Sequence, residues 1–319
     1  MNISKEPIVS IIIPVRNEEE HIASTIQSII SQNYPKSKIE IIISDGESTD
    51  NTLSVIKSLN YKIKIVNNSS IFMPAGFNKS LSECSGEIII MVGGHCSLHR
   101  NFVSLCTKNL INDDIHCVGG VIINKEDSLF KKILSNALSS NFGVGGVKFR
   151  KKINKKIFVD TVAFGAYKRN VFELLGGLDE ELIRNQDDEF NFRMTQAGMK
   201  IWQDSSLKIK YFSRSNLLSF SRQYFEYGFF KIRVLQKRKR ILALRHLIPG
   251  LFVLSLFLPH VSQYSFLAYL TVNIFFSIKI GRLNFIKWLP LLITFFITHV
   301  SYGIGFILGF FRFGVYWLK

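Results

Sequence analysis

Two long stretches without a charged side chain limit what this chain can fold into. Residues 247–278 and 289–311 contain no Asp, Glu, Lys or Arg. A helix that crosses a bilayer needs about 20 apolar residues, so the second stretch fits one span. The first is long for one span and short for two, and Pro259-His260 near its middle favours two short helices or a re-entrant hairpin over about 247–279. We therefore predict membrane segments over 246–319; a buried hairpin in the core of a domain is the alternative.

The charge balance indicates an anionic partner. Lys and Arg number 40 against 24 Asp and Glu, a net charge of +16, which suits nucleic acid, acidic lipid headgroups or a phosphorylated substrate. The 28 Phe residues cluster toward the C-terminus, and no recognised nucleic-acid module is present, which favours membrane lipids over nucleic acid. Basic residues 237–240, and Lys279, Arg282 and Lys287 between the apolar stretches, are expected to face the cytoplasm. The C-terminus would then lie outside if the last stretch spans fully.

The N-terminal part of the chain is expected to stay in the cytoplasm. Residues 1–9 are polar and include Lys5 and Glu6, which is unlike a secretory signal. The four cysteines are at least ten residues apart with no CxxC pair, so they are interpreted as reduced, buried thiols.

Residues 1–213 alternate short apolar runs with amphipathic stretches. This rhythm predicts an α/β domain with a mostly parallel sheet and helices on both faces. Such sheets bind ligands outside the carboxyl ends of their strands, where Pro14, Asp45 and Gly93 are placed. The predicted strands are Val9–Pro14, Ile39–Asp45, Lys62–Asn67, Glu87–Val92 and Cys117–Ile123, and the predicted helices are Glu20–Ser31, Thr49–Leu59 and Ala75–Cys84.

Residues 214–245 are predicted to form an amphipathic region at the membrane interface. Aromatic residues and cations are mixed over 217–235, directly before the apolar stretches, as in helices that lie in the headgroup layer. An ordinary amphipathic packing helix is the alternative.

Two motifs at strand ends carry polar turns. The first is SIIIPVRNE, residues 10–18, and the second is IIISDGESTD, residues 41–50. Asp45 could accept a hydrogen bond from a nucleobase imide N–H, or form the turn or cap the helix. Asp50 suits the capping role.

Together with later motifs, these stretches resemble family 2 glycosyltransferases of the GT-A fold, which use nucleotide-sugar donors. The order and spacing are most similar to the branch that builds succinoglycan-type bacterial exopolysaccharides. The resemblance implies a GT-A domain, a Rossmann-like mixed sheet that binds a nucleotide sugar, followed by membrane helices. Pro14, Arg16, Glu18 and Asp45 would then bind the donor. The later motifs are TVAFGAYKR at 161–169, LGGLDEE at 175–181, RNQDDEFNFR at 184–193 and RQYFEYG at 222–228.

The turn MVGGHC, residues 91–96, matches the family's DxD or DxH motif with Gly93 in place of the first acid and His95 as the second member. The resemblance implies Mn²⁺ or Mg²⁺ on the donor diphosphate, with His95 as a ligand and Gly93 and Gly94 beside the donor. Hard divalent cations prefer oxygen ligands, although imidazole suits Mn²⁺ better than Mg²⁺. The absence of the first acid at Gly93 therefore affects the predicted binding of the metal more than the predicted binding of the nucleotide. A histidine satisfied within its own loop is the alternative for His95.

The stretch NQDDE, residues 185–189, matches the family's catalytic-base motif. An inverting transfer needs a carboxylate that takes the proton of the attacking acceptor hydroxyl. By register this base is Asp187, with Asp188 as the next candidate and Gln186 beside the acceptor. Acidic residues at a helix start also suit the helix dipole, which is the structural alternative.

Two basic regions are further candidates for binding phosphate. Residues 223–227, QYFEY, occupy the place of QxxRW in processive relatives, but Glu226 stands where the arginine would be. This charge reversal argues against a chain-extruding synthase and leaves Arg222 or Lys231 to hold the donor phosphate, or to serve as cations facing the membrane. The Gly-rich stretch 141–152 ends in basic residues, and Lys148 and Arg150 could bind the acceptor's lipid pyrophosphate, with a solvated loop as the alternative.

These features predict an inverting glycosyltransferase on the bacterial inner (cytoplasmic) membrane with its catalytic domain in the cytoplasm. It would move a sugar from a UDP-linked donor to a polyprenyl-diphosphate-linked saccharide in surface polysaccharide synthesis. Transfer to a polyprenyl monophosphate, or a non-catalytic scaffold subunit that keeps the fold, are the alternatives.

Overall fold

The computed structural model describes residues 6–111, 114–146, 156–212, 216–239, 244–282 and 284–314. The chain divides into two compact units. The first, here called the sheet unit, comprises residues 1–123 and 152–212. The second, the helical unit, comprises residues 124–151 and 213–319. The sequence did not predict that 124–151 would join the C-terminal helices.

The described residues form a nine-stranded mixed sheet in the order β3-β2-β1-β4-β8-β6-β9-β5, with β7 paired to β9. The half from β3 to β4 is parallel, whereas β8 runs antiparallel to both β4 and β6. The α/β fold with a mixed sheet, which the family resemblance implied, is therefore confirmed; the rhythm of the strands alone predicted a mostly parallel sheet. The strands are β1 Val9–Val15, β2 Ile39–Asp45, β3 Ile63–Asn67, β4 Ile88–Met91, β5 Cys96–Leu98, β6 Cys117–Asn124, β7 Ile157–Phe158, β8 Ala166–Lys168 and β9 Ile201–Tyr211.

Alternating side chains of the central strands fill a core on each face of the sheet. In β1, Ile11 and Ile13 pack into one hydrophobic cluster and Ile12 into the other. All three are fully buried, because a parallel strand covered by helices on both faces has no solvated side. A continuous run of β-branched residues satisfies this requirement, and it holds the strand ends rigidly in place.

Six helices of the sheet unit connect or cover these strands. The helix α8 is preceded by Asn185 in the left-handed conformation and carries Phe190, which is buried among aromatic rings of the second cluster. The helices are α1 Ile22–Ile30, α2 Thr52–Ser58, α3 Met73–Ser82, α4 Phe102–Leu110, α7 Arg169–Leu175 and α8 Gln186–Gln196.

The helical unit contains six further helices in its described part. Two of its segments, Ser262–Gly281 and Ile286–Gly314, are long and apolar enough to cross a membrane. The region predicted as two short helices or a hairpin forms one helix of 8 residues and one of 20 residues. The predicted domain boundaries at residues 213 and 245 stay a prediction. The helices are α5 Leu129–Ser139, α6 Asn141–Val144, α9 Leu217–Arg238, α10 Ile248–Ser255, α11 Ser262–Gly281 and α12 Phe285–Gly314.

Candidate active site

The carboxyl ends of β1, β2 and β4 lie side by side. Val15 pairs with Asp45 across β1 and β2, and Ile12 pairs with Met91 across β1 and β4. The backbone N–H of Gly46 donates to the carbonyl of Val15 at 2.8 Å. The polar turns that follow these strands are therefore gathered at one edge of the sheet unit.

Asp45 presents an acceptor that the surrounding protein leaves unused. Its side chain is 5 % exposed, and Oδ2 accepts a hydrogen bond from the backbone N–H of Ser48 at 3.1 Å. Oδ1 is buried and has no hydrogen-bond partner among the described residues. A buried acceptor without a partner is costly, so this oxygen is suited to a donor that arrives with a ligand.

The turn after β1 is held against the turn after β2 by reciprocal hydrogen bonds. The backbone N–H of Glu18 donates to the Thr52 hydroxyl at 2.7 Å, and that of Glu19 to Asp50 at 3.1 Å. Asp50 also accepts from the backbone N–H of Thr52 at 3.0 Å, which fits its predicted capping role. Pro14 is half-buried and Arg16 is exposed, so the guanidinium of Arg16 is open to solvent at this edge.

The connection from β4 to β5 is the turn that contains the two glycines. The Thr25 hydroxyl donates to the carbonyls of Gly94 and Cys96 at 2.8 and 2.7 Å, an anchor that the sequence did not reveal. A Cβ built at Gly94 would lie 2.9 Å from Cγ of Glu18 and 3.0 Å from Cγ1 of Val15. Position 94 therefore requires glycine for close packing.

His95 is bound on both sides of its ring. Nδ1 lies 2.7 Å from Oε1 of Glu18, and Nε2 lies 3.1 Å from the Tyr211 hydroxyl. Beside it, burial raises the pKa of the Cys96 thiol to about 12, while the thiol's bond to the Gly93 carbonyl acts in the opposite direction. Cys96 is thus a neutral, buried thiol, as are the other free cysteines by burial.

His95 from this turn and Glu18 from the turn after β1 could supply a divalent cation with two ligands. In the part of the chain that the structure describes, no group of three or more His, Cys, Asp or Glu side chains could hold a metal ion. Glu18 Oε1 and His95 Nδ1 lie 2.7 Å apart, a hydrogen-bond distance, whereas neighbouring ligands of an octahedral Mn²⁺ or Mg²⁺ with bonds of about 2.1 Å are about 3 Å apart. The pair fits such an ion when the proton between the two atoms is lost and when phosphate oxygens and water complete the coordination.

Three acidic residues begin α8, and one of them, Glu189, is fully buried in an ion pair. Glu189 is 0 % exposed and accepts from Nε of Arg193 at 3.0 Å. Arg193 also donates to the carbonyls of Leu175 and Gly177 at 2.6 and 2.7 Å. Glu189 therefore fixes the arginine that holds the Gly176-Gly177 segment, whereas Asp187 and Asp188 are half-buried at the start of the helix.

Two series of side-chain contacts connect the start of α8 with the carboxyl edge. The Gln186 amide donates to the Met73 sulfur at 3.5 Å. The preceding residue, Phe72, accepts a hydrogen bond at its carbonyl from the Asn68 amide. The backbone N–H of Asn68 in turn donates to the carbonyl of Asp45. Gln186 Oε1 is buried and has no hydrogen-bond partner among the described residues. The first series thus joins the acidic helix start to the end of β2.

The second series runs through Asn191. The Asn191 amide donates to the Thr161 hydroxyl at 3.0 Å and to the Val162 carbonyl at 3.3 Å. Two residues further along, the ring of Phe164 lies against Gly93: a Cβ built at Gly93 would be 3.1 Å from this ring. Burial raises the pKa of Tyr167 well above its usual range, with smaller contributions from Cys117 and the charge of Asp187. Asn191 of α8 thus contacts the segment 161–164, whose Phe164 lies against Gly93.

Strained backbone is concentrated at this edge. Nine non-glycine residues have positive φ in the described part of the chain, and five of them lie in the turns just discussed. Ile71 at φ +67° is the most unusual, because a β-branched side chain disfavours that region. Such strain clusters at functional sites. The five are Asn17, Glu47, Ile71, Phe164 and Asn185.

Four residues were predicted to bind phosphate, and two of them, Arg222 and Lys231, belong to the helical unit. Arg222 is exposed and pairs with Glu226 at 3.1 Å, and Lys231 is buried within the helical unit. The pairing neutralises the acid that stands in place of the QxxRW arginine. Lys148 and Arg150 lie outside the described residues, and their roles stay predictions.

Comparisons with known proteins show the family to which this chain belongs. The family model "Glycosyl transferase family 2" matches residues 10–176. A relative from Methanococcus voltae, named dolichyl N-acetyl-alpha-D-glucosaminyl phosphate 3-beta-D-2,3-diacetamido-2,3-dideoxy-beta-D-glucuronosyltransferase, is 30 % identical over 92 % of this chain and 95 % of its own length. The succinoglycan biosynthesis protein ExoA of Rhizobium meliloti strain 1021 is 24 % identical over 75 % of this chain and 73 % of its own.

The solved structure of the mannosyltransferase PcManGT from Pyrobaculum calidifontis, in complex with GDP-Man and Mn²⁺, has a TM-score of 0.62 at 16 % identity. The match covers 93 % of this chain and 87 % of that one. The mixed sheet and its polar carboxyl edge thus define a transferase of the GT-A fold. The chain belongs to glycosyl transferase family 2 and is a glycosyltransferase, as the sequence motifs predicted.

Proposed function

We propose that this enzyme transfers a sugar, with inversion, from a nucleoside-diphosphate donor to a saccharide carried on a polyprenyl phosphate or diphosphate. The relative from Methanococcus voltae is named for transfer onto a sugar on dolichyl phosphate, and ExoA for succinoglycan biosynthesis. The first name supports a lipid-linked saccharide as the acceptor, and the second supports glycan synthesis as the process.

The donor base is proposed to lie against Asp45. Its unpartnered, buried Oδ1 can accept the imide N–H of uracil, and the same oxygen could accept the N1–H of guanine. We propose UDP as the nucleotide, while the solved mannosyltransferase was bound to GDP-Man. The diphosphate would lie over the Gly93–His95 turn, whose two glycines allow the turn to pack closely against Glu18, Val15 and Phe164.

Asp187 is proposed as the general base. The acceptor hydroxyl oxygen attacks the anomeric carbon, the bond from that carbon to the diphosphate oxygen breaks, and the nucleoside diphosphate leaves on the opposite face. Asp187 takes the hydroxyl proton during the attack. Glu189 is excluded from this role by its buried ion pair with Arg193, and Asp188, whose N–H donates to Asp187 Oδ1 at 2.9 Å, is the second candidate.

A divalent cation would be held by Glu18 and His95. Bound there, Mn²⁺ or Mg²⁺ would neutralise charge on the diphosphate leaving group. The Mn²⁺ in the solved mannosyltransferase supports the same dependence here. The protein's own part is to keep the two ligands adjacent, with Tyr211 fixing the ring of His95 from the other side.

The observation that carries the proposal is the pair of half-buried carboxylates that begin α8, connected through Gln186–Met73 and Asn191–Thr161 to the edge that holds Asp45 and Gly93. The test is Asp187→Asn in the full chain, with membranes supplied with labelled nucleotide sugars and label followed into extracted lipid. Transfer should fall by about a thousandfold or more, in keeping with the loss of a general base and its charge, while nucleotide binding by calorimetry stays unchanged.

The matched control is Asp114→Asn, which removes a carboxylate with a 77 % exposed side chain from a surface ion pair. That control should transfer at the wild-type rate, since exposed pairs contribute little. Transfer by Asp187→Asn at a near wild-type rate would remove Asp187 from the mechanism. Absence of any nucleotide binding, with or without Mn²⁺, would favour a scaffold role instead.

The acceptor class is tested with purified enzyme and synthetic lipids. A polyprenyl-diphosphate saccharide, a polyprenyl-phosphate saccharide and a bare polyprenyl monophosphate are offered separately with the active donor. Label on either saccharide supports the proposal and identifies the number of phosphates. Label on the bare monophosphate alone would identify the enzyme as a polyprenyl-phosphate glycosyltransferase.

The membrane location is proposed to be the cytoplasmic face of the cell membrane. The two helices long and apolar enough to span and the basic residues that flank them support this placement.

A further inference from the structure

The neighbours of α12 within the helical unit bear on how this unit meets the membrane. Its N-terminal half packs antiparallel to α11: a Cβ built at Gly281 would lie 2.5 Å from Cδ1 of Trp288, Asn273 donates to the carbonyl of Leu292 at 3.1 Å, and Tyr269 lies 3.1 Å from His299. The turn of this hairpin carries three cations, Lys279, Arg282 and Lys287. Cations are expensive in hydrocarbon, so this turn lies at a membrane–water boundary.

The C-terminal half of α12 packs parallel to α9. The Ser221 and Ser301 hydroxyls are 2.9 Å apart. A Cβ built at Gly305 would overlap the carbonyl of Phe225, and one at Gly309 would overlap that of Phe229. The two backbones therefore touch over about 12 Å of helix, given 1.5 Å per residue.

The helix α9 carries charges along the whole of this contact. Arg222, with an 81 % exposed side chain, pairs with Glu226 one turn further along. Arg233 lies over the ring of Phe313, 5.6 Å from its centroid, near the end of α12. If α12 crossed the bilayer, this half of it would bring an exposed arginine and a glutamate into the hydrocarbon, where such groups are rare and costly.

Irregular backbone lies beside the middle of α12. His299 is within hydrogen-bond distance of the carbonyls of Phe142 and Gly143, at 2.8 and 3.2 Å. These belong to the four-residue helix α6, which ends at Gly145 in the left-handed conformation. Irregular backbone at membrane depth is tolerated only where protein buries it, and Gly143 is buried against α12, so this contact alone does not decide the depth of the middle of α12.

The distances leave no room for a span. From Lys287 in the cationic turn to Ser301, where the charged helix α9 begins its contact, there are 14 residues, or about 21 Å of helix. The hydrocarbon core is about 30 Å thick. The helix α5, which carries Lys131 and Lys132, already packs at Leu291 and Phe295.

One side of α12 is nevertheless apolar and exposed from end to end. Within each half of the helix the exposed residues recur every three or four positions, and half-buried Val300 continues the same stripe between Phe296 and Ile304. A helix with one apolar face and charged helices on the other is typical of proteins that lie in the membrane interface. The stripe consists of Ile286, Leu289, Ile293, Phe296, Ile304, Leu308 and Phe311. Exposed apolar side chains of α10 and α11, among them Leu251, Leu254 and Phe275, extend the apolar surface.

We propose that the helical unit is embedded in one leaflet and does not cross the membrane. Its partner is the surface of a bilayer that contains anionic lipids: the stripe of α12 and the exposed faces of α10 and α11 enter the acyl region, and Lys279, Arg282, Lys287 and Arg312 meet the headgroups. The cationic turn and the end of α12 then lie on the same side as the sheet unit. This arrangement needs only membrane attachment and is independent of the sugar-transfer chemistry.

The test measures on which side three positions lie. Asn284→Cys in the cationic turn, Gly314→Cys at the end of α12 and Lys108→Cys on the sheet unit are made singly in the full chain, whose four native thiols are buried. Each is treated with a membrane-impermeant maleimide in right-side-out and inside-out vesicles. We expect all three to react in the same preparation and the protein to stay with the membranes in high salt.

Other labelling patterns contradict the proposal in distinguishable ways. Asn284→Cys on the side opposite to Lys108→Cys would mean that both long helices span, and Gly314→Cys alone on the opposite side would mean a single span. Release from membranes by high salt would mean that the apolar stripe is not inserted. A depth measurement, with fluorophores at 289, 296 and 311 quenched by nitroxide lipids, should give equal depths; a deepest point at 296 would indicate a spanning helix.

Discussion

Nδ1 of His95 lies 2.7 Å from Oε1 of Glu18, so a carboxylate stands beside the turn in which Gly93 has replaced the acid of the family motif. The carboxylate comes from the turn after β1, a different element from the one that carries it in the motif. A chain without the first acid can in this way still present one oxygen and one nitrogen to a cation.

The first prediction concerns this pair. Glu18→Gln should weaken Mn²⁺-dependent nucleotide binding by about tenfold or more, because the ion loses its protein carboxylate, while binding in the presence of a chelator should change little. Calorimetry with UDP, with Mn²⁺ or with EDTA, measures both. Glu20→Gln, at an exposed carboxylate near the same turn, serves as the control; an equal loss in both buffers would assign Glu18 a purely structural role.

The two glycines of the turn are predicted to differ. Gly94→Ala places a methyl 2.9 Å from Glu18 Cγ and 3.0 Å from Val15, and we expect a loss of about 1–3 kcal/mol in unfolding free energy together with weaker nucleotide binding. Gly93→Ala meets only the Phe164 ring at 3.1 Å, so it should fold and bind nearly normally. Thermal melts of the two variants against wild type decide the order, and greater damage from Gly93→Ala would contradict it.

The strands that matter for the site were predictable because they are buried on both faces. The continuous apolar runs at 9–14 and 39–45 are typical of central parallel strands. In the structure, β1 and β2 begin and end within one residue of those bounds. Asp45 followed directly, since the carboxyl edge of such strands is where ligands bind. Family resemblance added the region from 185 to 189.

What the sequence did not reveal depends on contacts between distant segments. Thr25 binds Gly94 and Cys96 from a separation of about 70 residues, and Tyr211 reaches His95 across 116. Neither residue has a local pattern that distinguishes it from an ordinary polar residue. The antiparallel strand β8 could not be predicted from the alternation of apolar and polar residues, because it is only three residues long.

A third prediction concerns the nucleotide base. Asp45→Asn keeps an oxygen for the Ser48 N–H but replaces the unpartnered carboxylate oxygen by an NH2 group, which donates and cannot accept. Because a hydrogen bond to a charged group contributes about 1.5–3 kcal/mol, UDP affinity should fall by about tenfold or more. Affinity for inorganic pyrophosphate with Mn²⁺, which has no base, should be unchanged and serves as the control; a parallel loss of both would indicate that the turn has collapsed.

The buried pair of α8 should separate stability from catalysis. Arg193→Met leaves the Glu189 carboxylate buried without its cation and frees the carbonyls of Leu175 and Gly177. We expect the unfolding free energy to fall by about 3–5 kcal/mol, seen as a lower melting temperature by circular dichroism. The double variant Arg193→Met with Glu189→Leu removes the orphaned charge and should recover part of the loss. No destabilisation in the single variant would mean that Glu189 is free for chemistry.

The last prediction tests the helix contact on which the membrane arrangement depends. Gly305→Leu would drive a side chain into the carbonyl of Phe225 and separate α9 from α12, so the helical unit should lose its thermal transition and become sensitive to protease between the two helices. Gly314→Leu is the matched control, because a Cβ there meets nothing closer than 4.0 Å. The contact is between two backbones, so no rotamer change can relieve the clash, and only movement of a whole helix can accommodate the larger side chain. Equal protease resistance in the two variants would show that α9 and α12 are not packed as described.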